Sequence, residues 1–207
     1  MGLDEEYVRK DVDPELAEAV LAGARILESL GALMVSVKLP EINEFVAAWD
    51  IICTAEAYLA HQTNYQARRE EYGPWFGGWL DLGAGVTGAA YAQANNLRAK
   101  CVGLLGSVFQ DIDLLVCPSM TSPPGPVTPQ ELRGPIGGED DFTWGRFTVP
   151  FNFSGAPTLS LPCGQNHEGL PLGIQFVGRR LSEALLIRAG HAFEQATEWH
   201  KLRPDIS

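Results

Sequence analysis

The chain has 207 residues, 45% of them hydrophobic and 20% charged, a composition that supports one globular domain with a sizeable core and excludes disorder as the default state. Fifteen basic against 26 acidic residues give a net charge of −11, with the basic residues scattered, so there is no cationic footprint for nucleic acid or an anionic membrane. The longest apolar runs stop well short of the ~20 residues a membrane helix needs, and the start MGLDEEYVRKD lacks the apolar stretch of a signal peptide, so a cytoplasmic location is expected.

In chain order, Asp13-Pro14-Glu15 supplies a cap, a proline at the first helical position and a dipole-favoured acid. Leu16, Val20, Ala24 and Leu27 then predict a helix ending at Gly31. Val35, Val37 and Leu39 alternate with Ser36 and Lys38, the pattern of a short strand with one buried face. Phe45, Trp49, Ile52, Cys53 and Glu56 predict a second helix from Glu41 to about His61. After it, Gly73-Pro74 and Gly77-Gly78 break an aromatic stretch in which Gln62–Leu82 shows little periodicity and reads as flexible.

Tyr91, Ala94, Leu97, Cys101, Leu104 and Val108 predict a third helix, feeding a buried strand at Asp113–Cys117. Pro118–Gly138 holds six prolines and four glycines and is expected to be a loop, within a Pro/Gly-rich stretch reaching about residue 141. Thr158–Cys163 and Leu172–Val177 read as an antiparallel hairpin, and Ser182 as the cap of a last helix carrying Leu185, Leu186, Ala189 and Phe193. The expected fold is α/β, part of a mixed sheet sandwiched between helices, with residues 1–207 as a single domain.

Chemistry is harder to find. The four cysteines fit neither a disulfide framework nor a metal site and read as buried free thiols; the four histidines lack HxH or HExxH spacing, and Glu139-Asp140-Asp141 lacks EF-hand spacing, so no metal and no cofactor are assigned. Ser107 reads as a helix-end residue. Ser160 lies near His167 in sequence, but strand alternation makes it a small hydroxyl in a sheet covered on both sides and bonded to backbone. Lys38 alternates outward and reads as a solvated charge, and Lys10, Lys100 and Lys201 sit in charged or terminal contexts.

Phe147–Gly178 reads FTVPFNFSGAPTLSLPCG, then QNHE, then GLPLGIQFVG, and closely resembles the C-terminal signature of the amidase signature family of serine hydrolases. Asn152, Gly155, Pro157, Pro162, Gly164, Gly169, Pro171, Gly173, Gln175 and Gly178 match its spaced pattern, and LDEEYVRKDVDPELAEAVLAGARILESLGA, VSVKLPE and DIDLLVCPSMTSPPGP resemble segments before it. The resemblance implies hydrolysis of carboxamide C–N bonds by a serine, a bridging serine and a lysine in the N-terminal half of the family enzyme. Nothing in these residues matches that half, so no catalytic residue is assigned and the isolated chain is expected to be inactive.

The resemblance also implies that Trp144, Phe147, Thr148, Phe151 and Asn152 line the acyl pocket. Gln175 is expected to be structural. Relatives that accept glutamine carry an acid two positions before the phenylalanine; here that place is Gly145, and the aromatics suggest an apolar or aryl acyl group. The expected partners are a small amide substrate and an N-terminal amidase half or partner chain, with a homo-oligomer open. A non-catalytic binding or regulatory module on the same scaffold is the alternative, and an independent hydrolase using Ser160 ranks last.

Overall fold

A computed structural model of the chain describes residues 1–41, 43–127, 129 and 142–203. The elements in order are β1 (Gly2–Leu3), α1 (Glu5–Arg9), α2 (Pro14–Ser29), β2 (Val35–Ser36), α3 (Asn43–Ala67), α4 (Pro74–Ala84), α5 (Gly88–Val108), β3 (Leu114–Pro118), α6 (Val149–Ser154), β4 (Thr158–Gln165), β5 (Pro171–Gly178) and α7 (Glu183–Gln195). The strands form one mixed sheet ordered β2-β1-β3-β5-β4, parallel on the β2-β1-β3 side and antiparallel across β3-β5-β4.

The sheet separates two apolar layers, because side chains alternate along each strand. Leu115, Cys117 and Val177 face α3, α5 and α6, where Phe45, Ile52, Cys101, Leu105 and Phe151 pack. Leu114, Val116, Ile174 and Phe176 face α2 and α7, against Leu16, Val20, Leu27, Leu186 and Phe193. β3 is buried at all of its residues and is bonded on both sides, which explains its unbroken apolar sequence.

The expected α/β sandwich is therefore present. α2 begins as read, with the Asp13 carboxylate accepting from Leu16 N at 3.0 Å, and Gly31 lies beyond its end at φ +99°. The β4–β5 hairpin runs slightly longer than expected and carries a bulge at Pro162/Gly164. In its turn, Asn166 Oδ1 accepts from Glu168 N at 3.1 Å and Leu170 N at 2.8 Å, while Gly169 supplies φ +80°. Ser182 precedes α7, but its hydroxyl donates to Arg179 O at 2.6 Å rather than capping the helix.

Other expectations change. The strand read at Val35–Leu39 pairs only at Val35–Ser36, and both residues are exposed. Its single neighbour β1 has two residues, and α1 starts at Glu5, so the ladder has nothing further to follow. Leu39 is still buried, its amide held by the Asp4 carboxylate at 2.8 Å, and Lys38 points outward to Glu6 at 2.5 Å.

The stretch read as flexible is largely helical: α3 continues to Ala67 and α4 occupies Pro74–Ala84, starting on a proline at its first turn. Its glycines mark close approach between the helices. A Cβ on Gly77 would lie 3.2 Å from the Tyr65 hydroxyl, and one on Gly83 only 2.1 Å from the Thr54 carbonyl oxygen. Beyond Pro118, the described part of the Pro/Gly-rich stretch has no helix or strand. Residues 128 and 130–141, including the Glu139-Asp140-Asp141 run, lie outside the described residues.

The two kinds of glycine in α4 give a direct comparison. Gly83→Ala is expected to destabilise the protein by about 1–3 kcal/mol, because backbone cannot yield to the new methyl. Gly78→Ala meets nothing within 4 Å and is expected to stabilise by up to about 1 kcal/mol through helix propensity. Denaturant midpoints of the two variants should move in opposite directions.

Candidate substrate-pocket wall

The segment that carries the expected wall residues runs from a 3-10 turn at Phe142–Phe147 through Thr148 into α6. Pro150 sits in the first turn of α6, and Gly155 ends it in the left-handed conformation at φ +70°. Ala156 N then bonds to Phe151 O at 3.1 Å, and Gly178 N to Pro157 O at 2.9 Å, tying the segment to β5.

The structure divides the five residues. Phe147 and Phe151 are 0% and 1% exposed and, with Phe153, pack in the core between the sheet, α3 and α5. These three rings are committed to the core rather than free to stack on a ligand. Thr148 is half-buried, with its hydroxyl donating to Gly145 O at 3.3 Å, and Asn152 is the exposed member of α6. The side chain of Trp144 lies outside the described residues.

Two anchors hold this segment. Gln175, 4% exposed on β5, donates from Nε2 to Phe147 O at 2.7 Å and reaches Cys117 Sγ at 3.5 Å, so its structural role is as expected. Arg146, 8% exposed, donates to Lys10 O and, at 2.9 Å, to Tyr7 O. Its guanidinium lies 4.2 Å from the Tyr7 ring centroid and 5.0 Å from that of Phe147. Tyr7 returns a hydrogen bond from its hydroxyl to Arg146 O at 2.6 Å, and burial pushes its pKa well above the ordinary phenol value. Sequence reading missed Arg146 and Tyr7; the available signal was a lone charge inside the apolar run WGRFTVPF.

Hydroxyls and lysines are spent locally. Ser107 donates to Gly103 O at 3.1 Å in the last turn of α5, Ser119 to Gly173 O at 3.2 Å and Ser154 to Phe151 O at 3.1 Å. Lys38, Lys100 and Lys201 pair with Glu6, Glu44 and Glu198. Ser160 is exposed rather than covered, since β4 is an outer strand and α6 does not extend over it; no backbone bond to its hydroxyl occurs among the described residues. His167 is held elsewhere, with Nδ1 2.6 Å from one Glu15 oxygen and its amide 2.7 Å from the other. Cys101, Cys117 and Cys163 are buried and Cys53 half-buried, all free, and burial raises Cys117 to about 12. Among the described residues no three His, Cys, Asp or Glu side chains cluster as metal ligands.

The Amidase family model matches residues 1–187. The chain belongs to the amidase family. It is 39% identical to the putative amidase AmiD of Mycobacterium bovis over 155 residues, covering 73% of this chain and 32% of that protein. It is 33% identical to an amidase of Pseudomonas putida over 207 residues, 99% of this chain and 44% of the relative. It is 30% identical to a glutamyl-tRNA(Gln) amidotransferase subunit of Thermodesulfovibrio yellowstonii over 227 residues, 99% and 46%. Among solved structures, a bacterial aryl acylamidase of the amidase signature family shares the fold, with a TM-score of 0.80 at 24% identity over 97% of this chain and 44% of that one. A 6-aminohexanoate cyclic dimer hydrolase gives 0.78 at 26% over 99% and 46%. This amidase-family chain thus spans about a third to a half of the length of the relatives it matches.

Replacing Gln175 with Leu leaves the buried Phe147 carbonyl without its donor and is expected to cost about 1–3 kcal/mol in chemical denaturation. The His167–Glu15 pair makes a pH-dependent contribution. The hydrogen bond to Glu15 raises the His167 pKa above its ordinary 6.5, so the stabilisation is complete below the unfolded value and is lost as pH rises through the folded one. His167→Ala should therefore be less stable than the parent at pH 5, with the difference fading above pH ~7; thermal midpoints across that range measure it.

Proposed function

We propose that this chain is the scaffold and substrate-pocket wall of an amidase hydrolysing carboxamide C–N bonds, and that its nucleophile and base come from outside these 207 residues. The observation that carries the reading is that no serine hydroxyl is hydrogen-bonded to a lysine or histidine among the described residues, while the wall segment is fixed at both Arg146 and Phe147. Acyl transfer at an amide needs an activated hydroxyl, which this arrangement does not provide. What it does provide is a rigid surface beside a reacting group.

Within this reading Thr148 and Asn152 are the contacts to a bound amide, with Trp144 beside them, and Phe147 and Phe151 back the wall from the core. Gly145 stands where glutamine-accepting relatives carry an acid, and a Cβ there would lie 2.9 Å from Val149 Cγ2. A longer side chain does not fit without movement of α6, which supports an apolar acyl group over glutamine. One structural neighbour is by name a hydrolase of a 6-aminohexanoate cyclic dimer.

The catalytic residues would arrive on an N-terminal amidase portion or on a second chain; one relative is by name part of an amidotransferase with more than one kind of chain. A single domain over 1–207 and a cytoplasmic setting, consistent with four free thiols, belong to the same proposal.

The purified chain is expected to show no saturable hydrolysis of a panel of aryl and alkyl amides. A chimera joining it to the N-terminal portion of the Pseudomonas putida amidase should raise turnover at least about a hundredfold, and Ser160→Ala should leave that turnover unchanged. Saturable turnover by the chain alone would sink the reading; an inactive chimera beside a chain that binds amides would point to the binding module instead.

A further inference from the structure

We infer that Arg146 is a positioning residue: it locks the pocket wall to the C-terminal end of α1 and thereby sets where Thr148 and Asn152 stand. The inference rests on the reading of this segment as a pocket wall.

The chemistry begins with α1. The last carbonyls of a helix have no intrahelical donor and carry the negative end of its dipole. In α1, which ends at Arg9, Tyr7 O and Lys10 O are two such acceptors, and both receive hydrogen bonds from one guanidinium more than 130 positions away in sequence. A buried cation is costly unless its donors are used. Arg146 is 8% exposed and forms no ion pair among the described residues, so the two carbonyls and the faces of Tyr7 and Phe147 are what hold its charge.

The contact is reciprocal. The Tyr7 hydroxyl donates to Arg146 O at 2.6 Å, and the Tyr7 ring meets that of Phe147 edge-on at 5.2 Å. Backbone and side chain of Arg146 are thus both fixed by α1. One residue later, Phe147 O is fixed from the sheet by Gln175 at 2.7 Å. Two anchors from different layers hold consecutive residues immediately before Thr148, and that amide accordingly starts α6 in one orientation. Neither anchor titrates in the working range, because guanidinium stays charged and the buried phenol is held protonated.

Arg146→Lys tests the clamp without removing the charge, since an ammonium lacks the planar fork and the stacking surface. In the active chimera, Arg146→Gln is expected to raise KM about tenfold with a smaller change in kcat, and Arg146→Lys to recover only part of it. A merely destabilised protein would lose active fraction, lowering apparent kcat at unchanged KM. Folded Arg146→Gln or Arg146→Lys with the parent's KM overturns the inference.

If the unsubstituted chimera is inactive, the pocket reading falls, and amide hydrogen exchange in the 207-residue chain then decides the clamp. Exchange across residues 147–154 should quicken about tenfold in the variants relative to α7, and equal exchange overturns it.

Discussion

A carbonyl buried between a sheet and a helix must find a donor, and Gln175 Nε2 supplies one to Phe147 O at 2.7 Å. That bond fixes more than two residues. Gln175 pairs across the sheet with Cys117 on one side and Ser160 on the other, so the register of three strands determines where the amide points. A slip of one residue would turn Gln175 into the α2/α7 layer and leave the wall segment without its anchor. Sheet register and pocket geometry are thus one constraint.

The same row explains why Ser160 and His167 stay apart despite their proximity in sequence. Ser160 shares the face of Cys117 and Gln175, on which α3, α5 and α6 cover the central strands. His167 lies in the hairpin turn and is bound through both ring and amide to Glu15, in the first turn of α2, which packs on the opposite face. A base committed to one layer does not serve a hydroxyl on the other.

Legibility followed element length and the range of the deciding contacts. α2, α5 and the β4–β5 hairpin carry their own periodicity and were readable. β1 has two residues and α6 six, too few for either period to register. α4 was hidden because Gly77 and Gly83 look like breakers, whereas in the folded chain they are the surfaces that admit Tyr65 and the Thr54 carbonyl. The site divided in the same way: Gln175 could be read as structural, but an aromatic ring suits a pocket and a core equally, so the burial of Phe147 and Phe151 appears only in three dimensions. Arg146 depended on partners at Tyr7 and Lys10, which no local pattern connects to it.

These placements also separate the work of α1 from that of the longer helices. α2 and α3 fill the two core layers, where apolar area decides their position. α1 is a five-residue helix with one buried residue, Val8, too short to be held by burial alone. Asp4 caps its start while bonding Leu39 N at 2.8 Å, and Arg146 closes its end. A helix fixed by polar bonds at both termini has a defined direction as well as a defined place, and that direction is what the Arg146 side chain passes to the wall.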